Sequence, residues 1–215
     1  MTGPAGQAER NQTLKLHVDQ SEEYESLYTK AAGKKLTWDW LVAGFPLLTA
    51  GDAAPGSLLP VLAVSRAGVT TAFPMRWGLT YPPVPGRDPG RFVIMTSADK
   101  ALRKPELHRC AVLVSWYSRP EILRSVDGAE KTSGRSYLFQ AAGEETMWLP
   151  GFYRMEKGMP VFALASMKSA PGLQRFGAYA PVVLARRDVS AWIDPAARTE
   201  ELLSLPAVGL VWEAA

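Results

Sequence analysis

The chain has almost none of the side chains that carry thiol and metal chemistry. Its 215 residues include one cysteine, Cys110, and two histidines, His17 and His108. A single cysteine excludes an internal disulfide and a cysteine-ligated zinc site, and it favours a reducing compartment. The two histidines are far apart in the sequence, and neither has a second histidine at helical ligand spacing. We therefore expect no metal and no cofactor.

Long hydrophobic runs are also missing. No apolar stretch approaches the roughly 20 residues that a membrane-spanning helix needs, and residues 1–12 are polar, without the apolar centre of a secretory signal. We expect a cytoplasmic protein with no membrane contact. The motifs Gly-x-Ser-x-Gly and Gly-x-Gly-x-x-Gly do not occur, and the run 33–35 lacks the leading glycine and the Ser/Thr of a phosphate-binding loop.

The composition that remains favours a folded α+β domain. Hydrophobic residues make up 47% of the chain, and the 18 glycines and 17 prolines suit many short strands joined by turns. We predict a mostly antiparallel, curled or barrel-like sheet with a few short helices, forming one domain over 1–215 with a divergent part at 1–50. The net charge of +3 permits an anionic partner without requiring one.

Two local patterns give sharper predictions. Asp19 to Glu22 has the spacing of a capping box, ahead of a helix with its apolar face at Tyr24, Leu27 and Ala31. The segments 137–141 and 146–149 flank a glycine and predict a β-hairpin.

The stretch 73–81 stands at the centre of the chain's pattern. An apolar strand leads into it, a proline-rich loop follows it, and Arg76, Trp77 and Gly78 occupy consecutive positions between them. One interpretation is a strand end with a buried tryptophan and a surface arginine. The other is a binding element, because the three residues offer a planar cation, a flat aromatic face and a close backbone approach.

The sequence Met-Arg-Trp-Gly-Leu at 75–79, followed by Pro-Pro at 82–83, resembles the central motif of the SRAP domain (SOS-response-associated peptidase-like) proteins. That family shields abasic sites in single-stranded DNA. Further pieces of its pattern occur in the same order between residues 50 and 212. They are Ala-Ala-Pro at 53–55, Arg-Cys at 109–110, Trp-Tyr-Ser at 116–118, Gly-Phe-Tyr-Arg at 151–154, Ala-Pro-Val-Val-Leu at 180–184 and Trp-Ile-Asp-Pro at 192–195.

The resemblance implies a site whose cross-linking chemistry is lost. In the family, a cysteine at position 2 closes a thiazolidine ring on the abasic sugar, and here Thr2 occupies that position. The family's asparagine aligns with Met95 and its histidine with Gly177. Its glutamate aligns with Ser118, or with Ser115 under another gap placement. Serine, methionine and glycine do not perform general acid–base catalysis near neutral pH.

The resemblance also implies a DNA-facing surface. In the family, the Trp-Gly segment and an upstream proline stack against bases, and an arginine that binds phosphate aligns with Ser97 here. The residues so assigned are Trp77, Arg76, Gly78, Pro55, Ser97 and Arg109. The basic residues that could line a strand path are Arg76, Arg87, Arg91, Lys100, Arg103, Lys104 and Arg109.

Three hypotheses follow. The first is a catalytically degenerate SRAP-like protein that binds single-stranded or abasic-site DNA without covalent cross-linking. The second is a non-enzymatic protein-interaction or structural domain on the same fold, with its cleft filled by Met95, Tyr179 and Met167. A closed or acidic groove would favour this one. The third is an enzyme that uses Thr2 as an N-terminal nucleophile after removal of Met1.

Overall fold

A computed structural model describes residues 14–33, 46–81, 90–124, 130–205 and 208–215. Within these ranges the chain forms fourteen strands: β1 (Lys15–Val18), β2 (Gly51–Ala53), β3 (Leu58–Val64), β4 (Thr70–Trp77), β5 (Leu79–Tyr81), β6 (Arg91–Val93), β7 (Met95–Ser97), β8 (His108–Val114), β9 (Trp116–Arg124), β10 (Glu130–Ala141), β11 (Met147–Glu156), β12 (Met159–Lys168), β13 (Tyr179–Pro181) and β14 (Leu210–Ala214).

Short helices complete the described part of the fold. The α-helices are α1 (Glu22–Ala32), α2 (Ala98–Leu102), α3 (Val189–Ile193) and α4 (Thr199–Leu203), and 3-10 turns occupy Pro171–Phe176 and Arg186–Asp188. Together with the strands they make a mixed α+β architecture, which confirms the predicted fold class. Within the described ranges, no helix combines the length and the apolar character that crossing a membrane would take.

Five of the described strands close into a barrel. β11 pairs with β8, β8 with β3, β3 with β4, β4 with β12, and β12 with β11, so the ring has no free edge. Every pairing in the ring is antiparallel except that between β4 and β12. The predicted barrel-like sheet is therefore present, and its closure depends on the β11–β12 hairpin.

The barrel interior and its covering helix form the main core. The near-continuous apolar run of β8 is buried from Cys110 to Val114. Trp192 of α3 packs edge-on against Phe152 at 5.4 Å, and its indole N–H donates to the Cys110 carbonyl at 2.9 Å. Burial raises the pKa of the Cys110 thiol. The chain's one thiol is thus held in the core in its neutral, weakly nucleophilic form.

The second half of β12 extends beyond the barrel and carries two further strands. β7 runs parallel to it, with Leu164 opposite Met95 and Ser166 opposite Ser97. β13 runs antiparallel on the other side, with Lys168 opposite Tyr179. One strand therefore fixes the positions of both β7 and β13.

A second sheet has the strand order β14-β10-β9-β1-β2. The predicted hairpin of 137–141 with 146–149 is wrong, because β10 pairs with β9 and β14 while β11 pairs with β8 and β12. The turn at Gly143 carries the chain from one sheet to the other. Phe139 of β10 stacks on Tyr117 of β9 at 4.8 Å, and this contact belongs to the second sheet.

The start of α1 differs from the predicted capping box. The N-cap is Ser21, whose hydroxyl accepts the Tyr24 backbone N–H at 3.2 Å. Asp19 instead lies 3.2 Å from His17 Nε2 and donates its backbone N–H to the Ser115 hydroxyl at 2.9 Å. The predicted apolar face is correct, since Tyr24, Leu27 and Ala31 are buried.

Substitution of Gly78 tests the junction between β4 and β5. Gly78 has φ +126°, and an added Cβ would lie 1.9 Å from Cζ of Phe92. We expect Gly78→Ala to lower the free energy of unfolding by about 2–3 kcal/mol, because it adds backbone strain and displaces the Phe92 ring. Urea denaturation measures this change.

Gly158→Ala is the matched control for that substitution. Gly158 also has a positive φ of +82°, but an added Cβ there meets no atom within 4 Å. We expect it to cost about 1 kcal/mol, from backbone strain alone. Equal costs for the two variants would contradict the close packing of Phe92 on Gly78.

Candidate functional site

The Arg-Trp-Gly segment is a packing element of the barrel. Trp77 ends β4 and is fully buried, and its indole N–H donates to the Ile94 carbonyl at 3.1 Å. The prediction that Trp77 offers a stacking face to a base is therefore wrong, because protein atoms cover the ring. Gly78 is also buried, and its backbone N–H donates to the Phe162 carbonyl at 2.6 Å.

Three other residues assigned to the DNA face lie outside the cavity described below. Pro55 is half-buried in the turn before β3, where the neighbouring Gly56 N–H donates to the Trp77 carbonyl at 2.7 Å. Arg76 is partly buried, and its Nε has no hydrogen-bond partner among the described residues. Arg109 donates to the backbone carbonyls of Asp194 and Ala197, and burial lowers the pKa of its guanidinium. These contacts tie the segment after α3 to the barrel, and Arg109 is not among the described residues that line the cavity.

Three predicted site positions do come together. Met95, Ser97 and Gly177 all line one cavity of about 470 Å³. β7 contributes the first two residues, and the loop before β13 contributes the third. β12 brings these distant residues together, because it pairs with both β7 and β13. It also contributes Ser166 to the cavity wall.

Arg119 of β9 is the most unusual residue of this wall. The residue is only 8% exposed, and its Nη1–H donates to the Tyr179 backbone carbonyl at 2.5 Å. None of the ion pairs between described residues includes Arg119. Burial lowers the pKa of the guanidinium, yet an arginine side chain keeps its proton in proteins. The cavity therefore has a buried positive charge with a neutral carbonyl as its recorded acceptor.

Gly177 has no side chain, and the Arg119 guanidinium occupies the space that a side chain there would fill. The glycine has φ +131°, and an added Cβ would lie 2.5 Å from Nη2 of Arg119. Any side chain at position 177 would compete with the guanidinium for this space. The position that the resemblance assigns to a histidine has no acid–base group, and an arginine fills the volume beside it.

The two serines proposed for the glutamate position are both buried, and neither is among the described residues that line the cavity. Ser118 is buried in β9, paired with Lys15 and Leu138, and it is not among the residues that line the cavity. Because side chains alternate along a strand, Ser118 and Arg119 point to opposite faces of β9. Ser115 is also buried, and its hydroxyl accepts the Asp19 backbone N–H. Thr2 lies outside the described residues.

The charge of the cavity wall is predominantly positive. Arg91, Lys100 and Lys104 line it together with Arg119, and Glu130 is the one acidic residue among the described lining residues. The first three were predicted as part of a basic strand path. Two other residues of that predicted path are not placed in the cavity wall. Arg103 forms an exposed ion pair with Asp99 at 2.9 Å, and position 87 lies outside the described residues.

Two tyrosines stand among these cations. The ring of Tyr81 has the Arg154 guanidinium at 4.5 Å from its centroid, Arg91 at 5.3 Å and the Lys104 ammonium at 5.5 Å. Tyr179 also lines the cavity and is 52% exposed. An aromatic face beside several cations is suited to a ligand that has both a planar ring and a negative charge.

Sequence reasoning missed Arg119 as a site residue. Arg119 follows directly on the Trp-Tyr-Ser segment, and β9 also contains Ser118, Glu121 and Arg124, so no local pattern sets this arginine apart. Tyr179 was noted only as a residue that would fill the cleft. Recognising Arg119 as a cavity residue required the pairing of β12 with β13 and the place of β9 beside them.

Comparisons with known proteins identify the fold. No protein-family model matches the chain, and no curated protein matches it. A crystal structure of a phage-related protein from Bordetella bronchiseptica is similar with a TM-score of 0.62 at 15% identity, covering 94% of this chain and 93% of that one. A Bacteroides thetaiotaomicron protein has a TM-score of 0.63 at 13% identity, with 93% and 90% covered. A second Bordetella bronchiseptica protein has a TM-score of 0.58 at 12% identity, with 94% and 98% covered. At these identities the likeness shows a shared fold alone.

Proposed function

We propose that this chain is a divergent SRAP-like protein that binds single-stranded DNA non-covalently in the cavity beside β12. The observation that carries the proposal is the cavity's charge. Four cationic side chains and one carboxylate line it, and one of the four cations, Arg119, is almost wholly buried. Phosphate contacts supply much of the affinity for nucleic acid, so a wall of this kind suits a DNA strand.

The proposal does not include covalent chemistry on the DNA. Met95 and Gly177 occupy the cavity at positions where the resemblance implies an asparagine and a histidine, and Ser118 faces away from it. Cys110 is buried in β8, where its thiol cannot reach a ligand in the cavity. The proposal therefore assigns binding groups to the described residues of the site and no covalent step.

The alternative of a protein-interaction or structural domain has less support. A closed or acidic cleft, filled by Met95, Tyr179 and Met167, would favour it. Met95 and Tyr179 line an open volume of about 470 Å³, while Met167 is 51% exposed and is not among the lining residues. The positive wall favours an anionic ligand over an apolar or basic protein surface.

Salt dependence tests the phosphate contacts. We expect Lys100→Gln combined with Lys104→Gln to reduce the slope of log K against log[salt] by about 1.4, because each single-strand phosphate contact contributes about 0.7. Fluorescence anisotropy of a labelled oligothymidine, titrated at several salt concentrations, measures this slope.

An abasic oligonucleotide should form a complex on a native gel and no adduct on a denaturing gel.

Lys15→Gln combined with Lys30→Gln is the control for the lysine pair. Both residues are exposed and neither lines the cavity, so the slope should not change. Absence of oligonucleotide binding at low salt would refute the DNA proposal. A denaturation-resistant adduct would refute its non-covalent part.

Removal of the Tyr179 ring tests base stacking. We expect Tyr179→Ala to weaken oligothymidine binding about tenfold, since stacking on an aromatic side chain contributes about 1–3 kcal/mol per base. Tyr179→Phe should retain the affinity, because the ring and the backbone carbonyl that accepts from Arg119 both remain. Trp212→Ala removes another exposed ring that does not line the cavity, and it should leave the affinity unchanged. If Tyr179→Ala and Trp212→Ala had equal effects, the tyrosine would have no specific role.

A further inference from the structure

We infer that Arg119, together with the Ser97 and Ser166 hydroxyls of the same cavity, forms an oxyanion subsite that takes a phosphate group. The inference rests on the proposed function in taking the cavity as the ligand site. It adds the chemical group that the cavity recognises and the buried residue that recognises it. Neither follows from the lysines and tyrosines nearer to solvent.

The burial of Arg119 is the first reason. Transfer of a guanidinium from water into the protein interior is costly unless an anion compensates its charge. The Arg119 guanidinium donates a hydrogen bond to the neutral carbonyl of Tyr179. Among the described residues, no carboxylate forms an ion pair with this side chain. An anion that enters the cavity would supply the missing negative charge.

The space around the guanidinium is the second reason. Because residue 177 is a glycine, no side chain occupies the space next to Nη2 of Arg119, where an added Cβ would collide with it. The guanidinium therefore lies against bare backbone on this side, and one nitrogen, Nη1, is held by the Tyr179 carbonyl. A side chain fixed in this way loses little further freedom when it binds an anion.

The neighbouring donors indicate a phosphate. Ser97 and Ser166 are opposite each other in the β7–β12 pairing, and both line the cavity. Together with the guanidinium they offer donors of two kinds to several oxygens of one group. Lys100 and Lys104 add positive charge at the same wall. A phosphate, whose tetrahedral oxygens accept from several directions, matches this set better than a planar carboxylate does, and a free or terminal phosphate also has the higher charge.

A thermal-shift titration with inorganic phosphate tests the subsite directly. For the wild-type protein we expect the Tm to rise by about 5 °C at a phosphate concentration a hundred times Kd, because a ligand that binds only the folded state stabilises it. Chloride at equal ionic strength should give no such rise. Arg119→Gln should lose the phosphate-dependent rise, and Arg119→Lys should keep part of it because the positive charge remains.

Two further measurements keep the test decisive. Arg103→Gln alters an exposed arginine outside the cavity lining and should retain the full rise. If Arg119→Gln fails to fold, NMR of the wild-type protein replaces it. The Arg119 Nε–Hε resonance is the arginine signal that disappears in the Arg119→Lys spectrum. We expect this resonance to shift when phosphate is added to the wild-type protein. An unchanged resonance, an equal Tm rise in Arg119→Gln, or no rise in the wild type would overturn the inference.

Binding measurements with oligonucleotides identify the source of the phosphate, and they test this inference separately from the proposed function. Tighter binding of a 5′-phosphorylated strand than of its 5′-hydroxyl form, lost in Arg119→Gln, would assign the subsite to a strand end. Equal binding of the two forms, with both weakened in Arg119→Gln, would assign it to an internal phosphate. If Lys100→Gln with Lys104→Gln weakens DNA binding and Arg119→Gln does not, DNA binding stands and the subsite is refuted. If phosphate stabilises the protein through Arg119 and no DNA binds, the subsite stands and the DNA proposal fails.

Discussion

The pairing of β12 with four other strands is the constraint on which the site depends. Its first half pairs with β11 and β4 and closes the barrel, while its second half carries β7 and β13. Main-chain hydrogen bonds therefore fix Met95, Ser97, Ser166 and Tyr179 relative to one another. A shift of one residue in either register would turn alternate side chains away from the cavity. The barrel supplies the rigidity, and the β12 extension places the binding groups.

Arg119 and Gly177 define what this scaffold can bind. A side chain at position 177 and the buried guanidinium cannot occupy the same space, since even a Cβ would lie 2.5 Å from Nη2. A proton-transfer group at 177 is thus incompatible with the arginine in its observed place. With an arginine there, the cavity has a permanent positive charge. A permanent positive charge suits a site that binds an anion.

The sequence was most informative where the pattern was local or repeated along the chain. The buried run of β8, the apolar face of α1 and the α+β class all followed from periodicity and composition. The hairpin around Gly143 was wrong because turn chemistry does not reveal that two adjacent strands enter different sheets. Trp77 could be core or ligand face on sequence grounds, and only its hydrogen bond to Ile94 and its full burial distinguish the two. Arg119 escaped notice because its significance depends on β9 meeting the β12 extension, a contact between segments far apart in the chain.

The central claim is that the buried guanidinium of Arg119 takes a phosphate of the bound strand. A crystal structure of the protein with a short 5′-phosphorylated oligonucleotide tests it most directly. The account predicts a phosphate within about 2.7–2.9 Å of the Arg119 guanidinium nitrogens, the distance of a charge-assisted hydrogen bond. A structure in which the oligonucleotide binds elsewhere, or in which its phosphates contact only surface lysines, would contradict it.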